Sequence, residues 1–220
     1  MGHARFDDAG FLAVARAIAI EEGPSAVTVE SVTRRLSAPK GSFYYRFASR
    51  DLLLGEVWLA TVLKFQEGFV AAIEAQDGLR AALHTPVWVR EHMGDARLLM
   101  LHSRHDFVNG KWPERLRQGV KDQEARFIEC LSRFARFTFG AATQANVRRA
   151  TFVIAEVPLA AVKQHLQRNE PPPLLVDELI SQTYLAIVGQ NSIKRRRTGG
   201  VSREETPIAS ATRGRRRADG

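Results

Sequence analysis

The chain has 220 residues, 45% of them hydrophobic and 25% charged, which allows one or two domains with a real core. No charge-free run of eighteen apolar residues occurs, and the start Met1-Gly2-His3-Ala4-Arg5-Phe6 lacks a secretory pattern, so a membrane-spanning helix is excluded and export is not expected. Cys130 is the sole cysteine; an internal disulfide is impossible and a cytoplasmic location is expected. The net charge of +8 is unevenly placed. Residues 28–50 carry a net +4 and residues 194–220 a net +6, whereas residues 51–193 balance at sixteen charges of each sign. A basic N-terminal block beside a neutral middle points to a polyanion as its partner.

In chain order the pattern is helical nearly throughout. Phe11, Val14, Ala15, Ile18 and Ala19 recur at one helical face, with Asp7 and Asp8 at its start and Gly23-Pro24 at its end. Thr28 can cap a short second helix carrying Val29, Val32 and Leu36, with Glu30 in its first turn. Ser37-Ala38-Pro39 breaks it, and Pro39 suits the first position of a third. Ser49 can cap a fourth helix reaching about Ala75.

Further along, helices are expected over 79–84, 86–92 and 95–107, then a turn at Asn109-Gly110. Pro113 opens a long helix, Gly140 separates it from another over 144–168, and Pro171-Pro172-Pro173 leads to a last one over 174–189. No strand-length alternation is found, so the fold class is all-α. Residues 193–220, rich in Arg, Gly, Ser and Thr, form a basic tail too poor in apolar residues to order itself, and disorder is expected there.

The segment with chemistry to offer is 28–47. Two short helices joined by a three- or four-residue break, the second one basic, have the layout of a helix-turn-helix. Phe43 and Phe47, four apart, would face the core, leaving Lys40, Ser42, Tyr44 and Tyr45 on exposed or flanking faces. Gly41 leaves the first turn bare for close backbone approach. Lys and Ser can reach base edges or phosphates, and Tyr can stack or donate to phosphate; Arg46 and Arg50 are sited for phosphates.

The runs Glu22-Gly23-Pro24-Ser25-Ala26-Val27-Thr28-Val29-Glu30, Arg35-Leu36, Lys40-Gly41-Ser42-Phe43-Tyr44-Tyr45-Arg46-Phe47 and Ser49-Arg50-Asp51-Leu52-Leu53 resemble the tetracycline-repressor (TetR) family over about residues 5–65. The resemblance implies an all-helical homodimer. Its three-helix DNA-binding domain would occupy 5–65, a larger effector-binding and dimerisation domain 66–192, and the tail 193–220. It implies phosphate contacts from Thr28 and Arg50, base-proximal positions at Lys40, Gly41, Ser42 and Tyr44, and backbone contacts from Tyr45 and Arg46. Three residues depart from the family pattern: Ser37 for the usual Gly, Pro39 for Ser or Thr, and Arg46 for His. The function implied is a DNA-binding transcription regulator, a repressor released from a double-stranded operator by a small-molecule effector.

The remainder of the chain has no comparable motif. Trp58, Phe65, Phe69, Trp88, Met100, Phe107 and Phe127 are bulky enough to line an effector cavity, and equally suited to an ordinary core. His102, His105 and Asp106 share a helical side, but solvated or hydrogen-bonded histidines are the better reading than a metal site. No phosphate loop, nucleophile elbow or carboxylate pair suggests an enzyme, and no cofactor is expected. The dimer is expected from 144–168 and 174–190, whose apolar residues Phe152, Ala155, Leu159, Val162, Leu175, Leu179, Tyr184, Leu185 and Val188 would pair with their copies.

Overall fold

A computed structural model describes residues 7–108 and 113–198, except for the side chains of Arg115 and of residues 190–198. Among the described residues every regular element is helical. The sequence's capping residues set the N-terminal elements. Asp7 accepts from the Gly10 N–H at the start of α1 (Asp8–Glu22), and Gly23, at φ 90°, ends it. A 3₁₀ turn over Pro24–Ala26 leads to α2 (Val29–Leu36), capped reciprocally by Thr28 and Ser31. The third helix, α3 (Lys40–Arg46), is preceded by Pro39 as its N-cap, one position earlier than expected. Ser49 accepts from the Leu52 N–H at the head of α4 (Arg50–Glu74).

The second half follows as α5 (Gly78–Glu91), α6 (Met93–Leu101), α7 (Arg104–Phe107), α8 (Glu114–Phe139), α9 (Gln144–Thr151), α10 (Val157–Arg168) and α11 (Leu174–Thr198). Two expected breaks are absent. Pro86, expected to divide 79–84 from 86–92, lies buried inside α5. A mid-helix proline costs about 3 kcal/mol, and packing of α5 on α4, α10 and α11 outweighs that. Residues 144–168 stay helical but not uniformly: a π-helical turn over Phe152–Glu156 joins α9 to α10 just before Pro158. The Val157 N–H reaches back to the Phe152 carbonyl, so the widened turn absorbs a proline that has no N–H to donate.

One expected helix is interrupted instead. The stretch 95–107 splits at His102 and Ser103, because the Ser103 N–H and Oγ both donate to Asp106 Oδ2 and start α7 afresh. The Asp106 carboxyl is held below its usual range by those bonds, and so is occupied as a cap. Among the described residues no group of three His, Cys, Asp or Glu is placed to hold a metal. At the C-terminus α11 runs on to Thr198, into the tail read as disordered from 193. Lys and Arg are good helix formers and are favoured near a helix C-terminus, so extension of an existing helix costs little there. Residues 199–220, and the turn expected at Asn109-Gly110, lie outside the described residues.

Two cores result. The first joins α1–α3 and the start of α4 and is closed by Leu98, Phe107, Val108 and Leu116 from α6–α8. The second is built from the rest of α4 and from α5, α8–α11. Helix α4 therefore belongs to both, and a buried carboxylate links them further. Asp95 of α6, 1% exposed, accepts from Arg16 Nε of α1 at 2.6 Å and from Lys64 Nζ of α4 at 3.2 Å. Cys130 is buried in the second core, which raises its thiol pKa, and it acts there as a small apolar side chain.

Among the described residues, the non-glycine positions with positive φ, Ser37, Gln76 and Asn169, lie at helix C-terminal ends. At Ser37 (φ 55°) its N–H bonds the Arg34 carbonyl and the Ala38 N–H the Thr33 carbonyl, a Schellman ending that favours glycine. Serine pays a Cβ penalty of about 1 kcal/mol in that conformation. Ser37→Gly is expected to raise stability by about 1 kcal/mol in urea denaturation, with an unchanged m value.

Candidate nucleic-acid interface

The site is a helix held by one face so that the other is free. Phe43 of α3 is fully buried, and its ring meets Phe11 of α1 at 5.9 Å edge-on and Phe47 at 5.8 Å. Phe11 and Phe47 complete the triangle at 6.0 Å. A seven-residue helix is too short to be stable alone, so this aromatic packing is what fixes α3 and its rotation. On the opposite side Tyr44 is 60% and Tyr45 87% exposed, with Lys40 and Gly41 exposed in the first turn and Ser42 half-buried.

Gly41 has no need of its small size inside the chain: a Cβ there would meet nothing within 4 Å. Pro39 supplies no side-chain cap, and the Ser42 N–H takes the Pro39 carbonyl. The Lys40 and Gly41 N–H groups, at the positive end of the helix, thus remain without intrahelical acceptors. Such a helix start, beside an ammonium and two phenols, suits phosphate and base-edge contacts.

The basic side chains divide into free and committed groups. Arg50, expected at a phosphate, braces the frame in the free chain: Nε donates to the Val27 carbonyl and Nη2 to that of Pro24, both at 2.8 Å, while Nη1 pairs with Asp51. It ties the head of α4 to the 3₁₀ turn, a role that spacing alone does not reveal. Arg46 is half-buried, its Nη1 paired with Asp8 at 2.8 Å and its Nε buried without a partner. Arg35 forms two bonds with Glu21, at 2.7 and 2.8 Å, which hold the Glu21 carboxyl below its usual range. Thr28 is exposed, although its Oγ1 already accepts from the Ser31 N–H in the capping box.

A cavity of about 610 Å³ lies in the second half of the molecule. Val62, Phe65 and Gln66 of α4, Leu99 and Met100 of α6, and Phe127 of α8 line it, together with Leu159, Ala160 and Lys163 of α10. Of the seven bulky residues suggested by sequence, Phe65, Met100 and Phe127 line it. Phe69 and Trp88 are buried in the second core and Phe107 in the first, while Trp58 stacks under Arg104 at 5.4 Å. Core and cavity recruit the same residue types, so size and apolarity could not separate them. Gln66 and Lys163 were missed because a polar residue on a mostly apolar helix carries no signal of its own.

Residues 11–57 match the family model of bacterial regulatory proteins of the tetR family. Among solved structures, the fold resembles a protein described as a tetR family transcription regulator from Shewanella sp. PV-4, with a TM-score of 0.60 at 13% identity, covering 84% of this chain and 96% of that one. It also resembles the ketosteroid transcriptional regulator KstR2 of Mycobacterium tuberculosis, with a TM-score of 0.53 at 15% identity, covering 86% and 96%. Among curated proteins no sequence matches this chain.

A titratable side chain stands behind the cavity wall, against Phe65. His84 Nε2 is 2.6 Å from the Phe65 carbonyl, and its ring lies 5.0 Å from that of Phe65. Burial pushes the imidazole below its ordinary value, over the opposing pull of the Phe65 carbonyl and Glu91. A lowered folded-state pKa gives stability that is complete above the unfolded value of about 6.5 and is lost as pH falls through the folded value. Denaturation at stepwise pH from about 7.5 to about 5 should therefore show a steeper loss of stability for the wild type than for His84→Phe.

Proposed function

We infer that this chain, a tetR-family protein through its N-terminal domain, is a DNA-binding transcription regulator that acts as a repressor. The observation that carries this is the two-faced α3. Its inner face is buried, whereas Lys40, Tyr44 and Tyr45 stand largely in solvent, with the Tyr44 ring touching Phe43 only edge-on at 5.4 Å. Large aromatic side chains left exposed on a helix this short serve contact with something else. Positive charge concentrated in residues 28–50 makes a phosphate backbone the fitting partner. Lys40, Gly41, Ser42 and Tyr44 would meet base edges, with Tyr45 and Thr28 on the backbone. Arg46 would reach phosphate only by leaving Asp8, and Arg50 acts by holding the frame.

Two copies would bind one operator. On α11, Val176, Ile180 and Tyr184 face the chain's own core, while Leu175, Leu179 and Leu185 are exposed. On α10, Val162 is fully buried, and Leu159 is exposed together with Phe152 of the π-helical turn. The expected pairing surface thus narrows, because Val162 and Tyr184 are already used. The exposed leucines form a stripe that a second copy, through two-fold symmetry, would cover with the same stripe.

Release by an effector would act through the cavity. Its wall includes Leu99 and Met100 of α6, the helix whose Asp95 holds Arg16 of α1. Close packing adds to that link, since a Cβ on Gly94 of α6 would approach Ile20 of α1 to 2.8 Å. A ligand that displaces α6 therefore has a stiff path to the domain that carries α3.

The test uses a duplex enriched from a random pool by the full-length protein. Tyr45→Ala and Lys40→Ala are expected to weaken its binding by about 1–3 kcal/mol each, without lowering the melting temperature. Unchanged affinity in both would remove α3 as the reading helix. In sedimentation the wild type should be a dimer, and Leu175→Glu with Leu179→Glu should yield a folded monomer with much weaker operator binding.

A further inference from the structure

We propose that the cavity between α4, α6, α8 and α10 takes an apolar monocarboxylate, its hydrocarbon body inside and its carboxylate on Lys163; this rests on the reading of that cavity as the effector site. The volume of about 610 Å³ lies in the range used for small organic ligands. Most of the lining is hydrocarbon or aromatic, and exposure rises across it, from buried Val62 through half-buried Phe65, Leu99 and Met100 to exposed Lys163. The ligand that matches such a gradient is amphipathic, with one polar end at the rim.

Charge decides what that end is. Lys163 is the single ionisable group among the lining residues, and no carboxylate of the described residues lies within ion-pairing distance of it. The nearest acid upstream on the same stretch, Glu156, is already paired with Arg148 at 2.7 Å. One uncompensated ammonium at an apolar mouth favours a single negative charge on the ligand. A phosphate dianion would need a fork of donors or a helix start, and the lining has neither. At the rim the pair stays partly solvated, so the carboxylate escapes the full cost of burial. Gln66 adds secondary polarity: its carbonyl oxygen accepts from the Gln123 amide, which leaves the Gln66 N–H groups as donors for a polar substituent.

A neighbouring cleft of about 600 Å³ offers a contrast. Beside Leu63, Val70 and Ala71 it is lined by Lys64, Glu67, Glu74 and Arg126, cations and carboxylates together, and so has no preference for one sign of charge. The two clefts share Gln66.

Dodecanoate and 1-dodecanol, below their aggregation limits, separate the contributions of head and body. Calorimetric titration of the full-length protein should show one dodecanoate per chain, with 1-dodecanol binding about tenfold more weakly, the expected share of one charge-assisted bond. Lys163→Gln should lower dodecanoate to the level of the alcohol and leave the alcohol unchanged; Lys163→Arg should keep the preference. Equal binding of acid and alcohol, or an unchanged preference in Lys163→Gln, would overturn the carboxylate assignment while leaving the cavity as the binding site. Filling the cavity with Met100→Trp or Val62→Trp should abolish binding of both probes in a variant that still melts cooperatively. Retention of both probes by both filled variants would overturn the cavity as the effector site. Absence of dodecanoate binding to the wild type would overturn the proposal, whereas operator binding measured on the same preparation stands or falls separately.

Discussion

The triangle of Phe11, Phe43 and Phe47 is the contact from which the surface proposed to meet DNA takes its shape. Two of its rings belong to α3 and the residue that ends it, and the third comes from α1. Helix α3 also packs on α2, itself only eight residues long, and Arg46 pairs with Asp8 of α1. Removing a fully buried phenylalanine costs about 3–5 kcal/mol, comparable to the whole stability of a marginal domain. While the triangle holds, the rotation of α3 is set, and Lys40, Tyr44 and Tyr45 have no direction left but outward. Arg50 serves the same end from the other side by bonding two carbonyls of the α1–α2 connection.

The link to the rest of the molecule is equally physical. Helix α4 contributes Leu52, Leu53 and Val57 to the first core and Phe69, Ala72 and Ile73 to the second, so neither core moves without it. Asp95 adds a buried charge whose two cations come from α1 and α4. A carboxylate at 1% exposure is tolerated only while those partners stay in place, which makes the α1–α6 contact specific in geometry as well as adhesive. In the second core, Arg90 of α5 grips Asp177 of α11 through both guanidinium nitrogens at 2.9 and 2.7 Å, fastening the helix that carries the exposed leucines.

Much of the N-terminal half was legible because its signals are local. Asp7, Thr28 and Ser49 are capping residues that act on amides three positions away, and Gly23 acts within one turn. The spacing of Phe43 and Phe47 identified the inner face of α3 for the same reason. What sequence missed depended on neighbours distant in the chain. Pro86 reads as a breaker until three helices are seen packed around α5, and the π-turn before Pro158 is a response to tertiary packing. The bracing bonds of Arg50 were not legible because its acceptors are carbonyls 23 and 26 residues upstream. Lys163 was invisible for a related reason, since only its position opposite Phe65 and Met100 gives it meaning.

On the proposed function, DNA is read by the helix starts and exposed face presented by the aromatic triangle. Amide hydrogen exchange of the full-length protein, free and bound to its selected duplex, addresses this directly. The Lys40 and Gly41 N–H groups lack intrahelical acceptors and should exchange fast in the free protein. On DNA binding these amides, together with those at the start of α2, should become protected, while the amides of α5 and α9 keep their rates. Protection confined to α10 and α11, with residues 40–46 unchanged, would contradict the account.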